Sequence, residues 1–202
     1  MRYEFLIDTY RTEIEKVLSV WAMFEDADLH RRPHPSDKRG RNLLEHMVHQ
    51  NVSENLWFSR MLGISVTVRP LPEQETRLSL MKAYAENATK RLAALRETDE
   101  GWWEEVVDFF EVKRSRAWIM TRRIAHTAHH RGQQMALLRV VNRDLHSSYG
   151  PTADTGGLMQ NNARVIYAYP DLEAIIEEEA GPRRKAELPG PGDKAPTERP
   201  GT

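Results

Sequence analysis

The chain has 202 residues, of which 40% are hydrophobic, and its 29 basic and 30 acidic side chains leave a formal net charge of −1. This length and composition predict one globular domain with an additional terminal segment, and the balanced charge argues against binding to nucleic acid or to an anionic membrane. The absence of cysteine excludes disulfides, zinc–cysteine sites and a cysteine nucleophile. The acidic, amphipathic N-terminus and the lack of a run of about 18 apolar residues predict neither a signal peptide nor a transmembrane helix, and we expect a cytoplasmic protein.

Apolar spacing predicts four long helices, over residues 3–24, 42–62, 73–96 and 115–141. Pro33 and Pro35 separate the first two helices. Gly63 is suited to end the second helix because glycine readily adopts a left-handed conformation. Four long helices with little strand signal favour an all-α fold, an antiparallel four-helix bundle over residues 1–145.

The connections between these helices carry fewer signals. Residues 64–72 are rich in β-branched residues and broken by proline, so we expect an extended connection. Residues 102–112 are expected to form an extended linker packed on the bundle, which would direct Trp102 and Trp103 to opposite sides. Ser115 is a candidate cap for the fourth predicted helix.

The C-terminal part of the chain differs from the bundle in composition. Residues 146–180 are expected to form a loop-rich extension with a short helix over 171–180, in which the loop 149–157 covers the site as a lid or embraces a second subunit. Residues 181–202 are dominated by proline, glycine and charge, so they cannot bury enough apolar surface to offset their ordering entropy. We expect this tail to be disordered.

The strongest chemical signal is a group of histidines in the fourth predicted helix, at 126, 129 and 130. His126 and His130 are four residues apart, so they lie one turn apart on the same helix face and can share one metal ion. His129 is offset by about 100° and is expected to face a neighbouring helix or solvent. The second predicted helix offers His46 or His49 as a third ligand, and helical geometry alone leaves both open.

Two observations narrow the type of metal site. No histidine has a glutamate three residues before it, which argues against a ferritin-like di-iron centre, and Thr127 stands where the zincin motif requires glutamate. A mononuclear three-histidine site for Zn, Ni, Fe or Co, with an open coordination position, therefore fits best. The positions of Val52 and Leu56 beyond His49 weakly favour an inward direction for that side chain. His30 and His34, in a loop beside arginines, are interpreted as surface residues, and His146 lies at the irregular end of the fourth predicted helix, so none of the three is a favoured ligand.

These features together resemble the DinB superfamily over about residues 3–142. The resemblance depends on the four-helix plan, a histidine about eight residues before Trp57-Phe58, and the sequence His-x-x-x-His-Arg-Gly-Gln that begins at His126. In that family, three histidines bind a divalent metal, one from the second helix and two from the H-x-x-x-H pair. Carried to this chain, the resemblance implies His49, His126 and His130 as ligands.

The resemblance also implies a reaction. Characterised relatives include S-transferases that use bacillithiol or related low-molecular-weight thiols, so we expect thiol transfer to a small-molecule electrophile. Metal-assisted hydrolysis and a non-catalytic metal-binding or stress-response role are the alternatives, because they need the same histidines. A homodimer is expected, and no nucleic-acid or membrane partner.

Other side chains have a structural and a functional interpretation. Gln133 either orients a ligand or hydrogen-bonds within the bundle, and Arg131 is expected to pair with an acid on a neighbouring helix. The further arginines of the fourth predicted helix are interpreted as a solvated face, and the tryptophans either line a pocket or supply buried area. These are Arg114, Arg116, Arg122, Arg123 and Arg139, and Trp57, Trp102, Trp103 and Trp118.

Overall fold

A computed structural model describes residues 2–66, 69–143, 145, 154 and 171–180 of the chain. Its main body is built from four long helices, α1 (Glu4–Met23), α2 (Leu43–Trp57), α3 (Arg77–Arg96) and α5 (Arg116–Val140). Helix α1 packs against α3 and α5, and α2 packs against the same two helices. The predicted all-α four-helix bundle is confirmed.

Local capping explains where α2 and α5 begin. The side chain of Asn42 accepts from the backbone N–H of Glu45, and the carboxylate of Glu45 accepts from the backbone N–H of Asn42, so two free donors at the start of α2 are satisfied. Ser115 caps α5 as predicted, by accepting from the N–H of Trp118. Helix α2 continues as a π-helical turn, Phe58–Leu62, and ends at Gly63, whose φ of 73° is left-handed as expected for a terminator.

Helix α3 begins at residue 77, four residues later than predicted. Thr76 caps it by accepting from the N–H of Ser79, and the hydroxyl of Ser79 lies 2.8 Å from that of Thr76. The preceding residues, 73–75, are polar. They lie outside the helix because the Thr76 cap fixes the first helical turn after them.

The region between α3 and α5 differs from the predicted extended linker. Asp99 caps a short helix, α4 (Glu100–Glu104), which buries Trp103 completely and Trp102 partly. An antiparallel hairpin follows, with β1 (Val106–Phe109) paired to β2 (Val112–Ser115). The extended prediction is therefore right only for the hairpin, since the Asp99 cap turns the tryptophan pair into helix.

The C-terminal end of α5 is fixed by a left-handed residue and an ion pair. Asn142 has φ 55°, and the N–H groups of Asn142 and Arg143 donate to the carbonyls of Arg139 and Leu138. This arrangement is a Schellman motif. It directs Arg143 onto Asp28, which lies just after α1, with two hydrogen bonds of 2.8 and 3.0 Å.

The stabilising effect of the Asp28–Arg143 pair is expected to disappear in acid. Burial raises the pKa of Asp28, but hydrogen bonds from Arg143 and from the backbone N–H of Glu25 outweigh it and hold the pKa below the ordinary 3.8. Since the folded pKa is the lower one, the stabilisation is complete above the ordinary value and is lost as the pH falls through the lowered value. In urea unfolding, Arg143→Met should destabilise the protein at pH 7 and have a much smaller effect at a pH below the lowered pKa of Asp28.

The exposed pair of Arg39 and Asp37 provides a control for this prediction. Arg39→Met is expected to change the free energy of unfolding little at either pH, because an exposed ion pair is well screened. An Arg143→Met effect of equal size at both pH values would show that protonation of Asp28 does not change the contribution of the pair to the free energy of unfolding.

Helix α6 (Leu172–Ala180) packs on α1 and α3, in agreement with the predicted short helix. It buries Ile175, and its Glu179 lies 2.5 Å from Nη1 of the buried Arg77. Of the loop predicted over 149–157 only Asp154 is among the described residues, where it pairs with Arg139. The predicted tail, 181–202, lies outside them. In the described part of the chain, no helix combines the length and apolarity needed to cross a membrane.

Candidate metal centre

Two histidines of α5 form one edge of a compact imidazole cluster. His126 and His130 share a helix face, as their spacing predicts, and their Nε2 atoms lie 3.0 Å apart. His130 is buried, whereas His126 is half-buried. This edge of the cluster therefore reaches from the bundle interior toward the surface.

The third imidazole comes from His49 of α2. Its ring centroid lies 4.6 Å from that of His130 and 5.6 Å from that of His126. One ring nitrogen from each of the three side chains falls within 4.8 Å of the others. His46 is more deeply buried, and although its ring centroid lies 5.6 Å from that of His130, it is not part of this group.

Burial and nearby positive charge keep the three imidazoles neutral. Burial and the charge of Arg123 lower the pKa of His126 to about 3, and burial lowers the pKa of His130 to about 4. The pKa of His49 is also lowered, by burial and then by the charge of Arg41. A neutral imidazole keeps one nitrogen lone pair free, so each side chain can donate to a divalent ion near neutral pH.

Hydrogen bonds at both ends of the α5 pair orient its rings. Nδ1 of His130 lies 3.0 Å from Oε1 of Gln133. An amide oxygen only accepts, so this nitrogen carries the proton and Nε2 is the acceptor. At the other end, Nη1 of Arg123 donates to Nδ1 of His126 over 3.1 Å. The proton of neutral His126 then lies on Nε2, which donates to Nε2 of His130.

Arg123 also belongs to a buried ionic network centred on Glu54 of α2. The Glu54 carboxylate accepts from Arg123 at 3.1 Å, Arg91 at 3.2 Å, Tyr10 at 2.6 Å and Tyr84 at 3.0 Å. Burial raises the pKa of Glu54, but the charges of Arg123 and Arg91 hold it below its ordinary value. Two cations face one carboxylate, so net positive charge remains beside His126.

An aromatic wall borders the cluster on the side of the hairpin. Trp57, at the end of α2, stacks on His126 with a centroid distance of 5.7 Å and an interplanar angle of 15°. The same indole contacts Phe109 at 5.3 Å. These rings exclude water from one side of the cluster, while the half-buried His49 and His126 keep another side accessible.

The remaining histidines in the described part of the chain are not members of the three-imidazole group, although the ring centroid of His129 lies 5.2 Å from that of His130. His129 is exposed on α5, which agrees with the prediction that it faces a neighbouring helix or solvent. His30 and His34 are exposed in the connection between α1 and α2, as predicted. His146 lies outside the described residues.

The prediction that the further arginines of α5 form a solvated face is wrong for Arg123. This side chain is fully buried and donates to Glu54, Ser53 and His126. The sequence did carry a signal for its burial, because Arg123 lies four residues after the buried Ile119 and therefore on the same helix face. Arg131 does pair with an acid of a neighbouring helix, Glu13, but both groups are buried.

Comparison with known proteins supports the four-helix plan. The model of the DinB family matches residues 7–151. A DinB-like protein from Bacillus cereus superposes with a TM-score of 0.61 and 20% identity, over 69% of this chain and 93% of that one. A DinB-like protein from Bacillus subtilis gives a TM-score of 0.53 and 12% identity, over 68% and 92%. At these identities the structures show a shared fold alone, and no curated protein sequence matches the chain.

Proposed function

Because the chain belongs to the DinB family, we propose that it is a divalent-metal-dependent enzyme whose ligands are His49, His126 and His130. The observation that carries this proposal is the convergence of three ring nitrogens within 4.8 Å of one another, with two of the three side chains half-buried. A structural zinc site is normally closed by four protein ligands, whereas three ligands and an accessible side are typical of catalytic sites.

The donor atoms fit such an ion. With bonds of about 2.0–2.1 Å, two nitrogens of a tetrahedral site lie about 3.3 Å apart, close to the 3.0 Å between Nε2 of His126 and Nε2 of His130. The Gln133 contact keeps the proton of His130 on Nδ1, so its Nε2 lone pair is directed into the cluster. His126 would present Nε2 after its proton moves to Nδ1, which requires the Arg123 N–H group to turn away from Nδ1.

The reaction that we propose is transfer of an external low-molecular-weight thiol to a small electrophile, in which the new S–C bond forms as a halide leaves or as an epoxide C–O bond opens. A divalent ion at these histidines would supply Lewis acidity and favour the thiolate form of a bound thiol. The chain contains no cysteine, so the sulfur nucleophile must come from outside. The net positive charge at Arg123 favours an anionic thiolate beside His126, and the ring of Trp57 limits access of competing water.

The metal proposal is tested on protein that has been stripped with a chelator and reloaded with Zn²⁺ or Co²⁺. Wild-type protein should retain one ion per chain after gel filtration, and Co²⁺ should give a visible absorption spectrum that reports imidazole ligation. His126→Ala and His130→Ala should lose the stoichiometric ion, because each removes one of only three ligands. His129→Ala, an exposed histidine of the same helix, should retain it. Wild-type protein without stoichiometric metal would contradict the proposal.

The reaction is tested separately with bacillithiol or glutathione and 1-chloro-2,4-dinitrobenzene as the electrophile. Metal-loaded wild-type protein should accelerate loss of the thiol, and stripped protein should not. Acceleration of p-nitrophenyl acetate hydrolysis alone would instead identify a hydrolase. Retention of metal with neither activity would identify a binding protein and contradict the transfer reaction.

A further inference from the structure

Four aromatic side chains form a continuous platform that leads from the histidine cluster to the surface. Trp57 stacks on His126 and contacts Phe110 at a centroid distance of 6.2 Å. Phe109 contacts Trp57 and Phe110, at 5.3 and 4.8 Å, and Trp118 at 5.2 Å. We call Trp57, Phe109, Phe110 and Trp118 the aromatic platform.

The outer part of the aromatic platform is exposed to an extent that the fold does not explain. Phe110 is 72% exposed and Trp118 is 42% exposed. Val112, the cross-strand neighbour of Phe109, is also exposed, so the apolar surface extends beyond single residues. A contiguous exposed apolar patch at the edge of a polar site is typical of a binding surface.

The backbone gives a second, independent indication. Phe110 has φ 51°, in the left-handed region that suits glycine or asparagine and that bulky side chains rarely adopt. The hairpin turn would form more readily without this ring. An exposed aromatic side chain in a disfavoured conformation, one ring away from the candidate metal centre, points to a role in binding.

We propose that the aromatic platform binds the planar apolar part of the electrophile while the reacting group faces His49, His126 and His130. This inference rests on the proposed function and adds a substrate class, a small molecule with an aromatic or similarly flat apolar group. The path from His126 to Phe110 consists of two ring contacts in series, 5.7 and 6.2 Å, both made by Trp57. Trp57 contacts both ends of this path, so one ligand can meet the histidines and the exposed ring together.

The test uses hydroxamates, which chelate a protein-bound metal, with the Co²⁺-loaded full chain. 2-Naphthohydroxamate and acetohydroxamate share the chelating group and differ in the ring. Phe110→Asn should weaken the binding of 2-naphthohydroxamate by about tenfold, which is the upper range for one aromatic contact. It should leave the affinity for acetohydroxamate unchanged. Phe5→Ala, which removes a ring with 60% exposure on α1, should change neither affinity.

Stability separates a binding role from a structural role for Phe110. Asparagine tolerates the left-handed backbone, so Phe110→Asn should keep or raise the melting temperature while it weakens the naphthyl ligand. A lower melting temperature with an unchanged affinity ratio would overturn the inference. So would loss of a dimer in light scattering without a change in that ratio, because the surface would then be an interface between two copies.

A metal-free measurement keeps this inference distinguishable from the proposed function. 2-Naphthamide carries the ring but no strong chelating group, and its binding to stripped protein can be followed by saturation-transfer NMR. Saturable binding that Phe110→Asn abolishes would support the aromatic platform even if the chain takes up no metal. Metal uptake with no aromatic preference in any of these ligands would overturn the inference and leave the metal centre standing.

Discussion

Replacement of Glu54 by glutamine is expected to lower the free energy of unfolding by about 3–5 kcal/mol. The carboxylate is fully buried and is the partner of two buried guanidinium groups, those of Arg91 and Arg123. Glutamine has nearly the same shape but no charge, so both cations lose their counter-ion while they remain inside the protein. Removal of one partner from a buried ion pair is costly because the other charge is left desolvated. Urea unfolding at neutral pH measures the difference.

A matched substitution at the surface isolates the effect of burial. Glu86 pairs with Lys90 one turn away on α3, and both side chains are substantially exposed. Glu86→Gln should change the free energy of unfolding by no more than about 0.5 kcal/mol. If Glu54→Gln and Glu86→Gln have similar effects, the buried network does not stabilise the fold.

A double substitution tests the cause directly. Addition of Arg91→Met to Glu54→Gln removes one of the two unpaired cations. The combined loss of stability should therefore be smaller than the sum of the two single losses, because contacting charges are not additive. Additive losses would indicate that packing, and not charge, determines the effect.

The helices were predictable from sequence because their cores follow a regular apolar period. Helix α5 agrees with the prediction to within one residue at each end, since the Ser115 cap has a clear local pattern. The hairpin after α4 was not predicted, because two four-residue strands carry no period that a short window can separate from a linker.

The candidate site was predicted in part, for different physical reasons at each residue. The spacing of His126 and His130 fixes their common face, because any α-helix places residues four apart on one side. On α2 the argument from apolar neighbours was wrong, since Leu56, used to infer an inward direction, is 38% exposed. The buried face of α2 is instead largely polar, and it includes His46, Gln50, Asn51 and Glu54. The family resemblance, and not periodicity, selected His49.

The ionic network was missed because hydropathy treats glutamate and arginine as surface residues. Glu54, Arg91 and Arg123 come from three different helices, and their mutual satisfaction exists only after the bundle has assembled. Each lies on the buried face of its own helix. Opposite charges at core positions of three helices were therefore the sequence feature that indicated a buried network. Arg123 connects this network to His126, so both the stability of the bundle and the orientation of the His126 ring depend on this side chain.

The choice of His49 over His46 gives the largest expected effect on the metal centre. His49→Ala should weaken Zn²⁺ binding by at least about 100-fold, because supporting residues alone contribute about 10–100-fold to metal affinity and a ligand contributes more. His46→Ala should weaken binding by about tenfold at most, the lower end of that range, because His46 packs against the ring of His130 without being one of the three clustered imidazoles. Competition with a chromophoric chelator measures the Zn²⁺ affinity of both variants, whose substituted positions are three residues apart on α2.

Fold stability is expected to respond in the opposite order, which makes the comparison decisive. His46 is 4% exposed and packs against His130, whereas His49 is half-buried, so His46→Ala leaves the larger cavity and should cost about 1–3 kcal/mol of unfolding free energy. A ligand role and a packing role are thereby assigned to different residues by two independent measurements. If His46→Ala loses the metal and His49→Ala retains it, the third ligand lies deeper in the bundle. The cluster at the accessible edge, formed by His49 with His126 and His130, would then not be the metal centre.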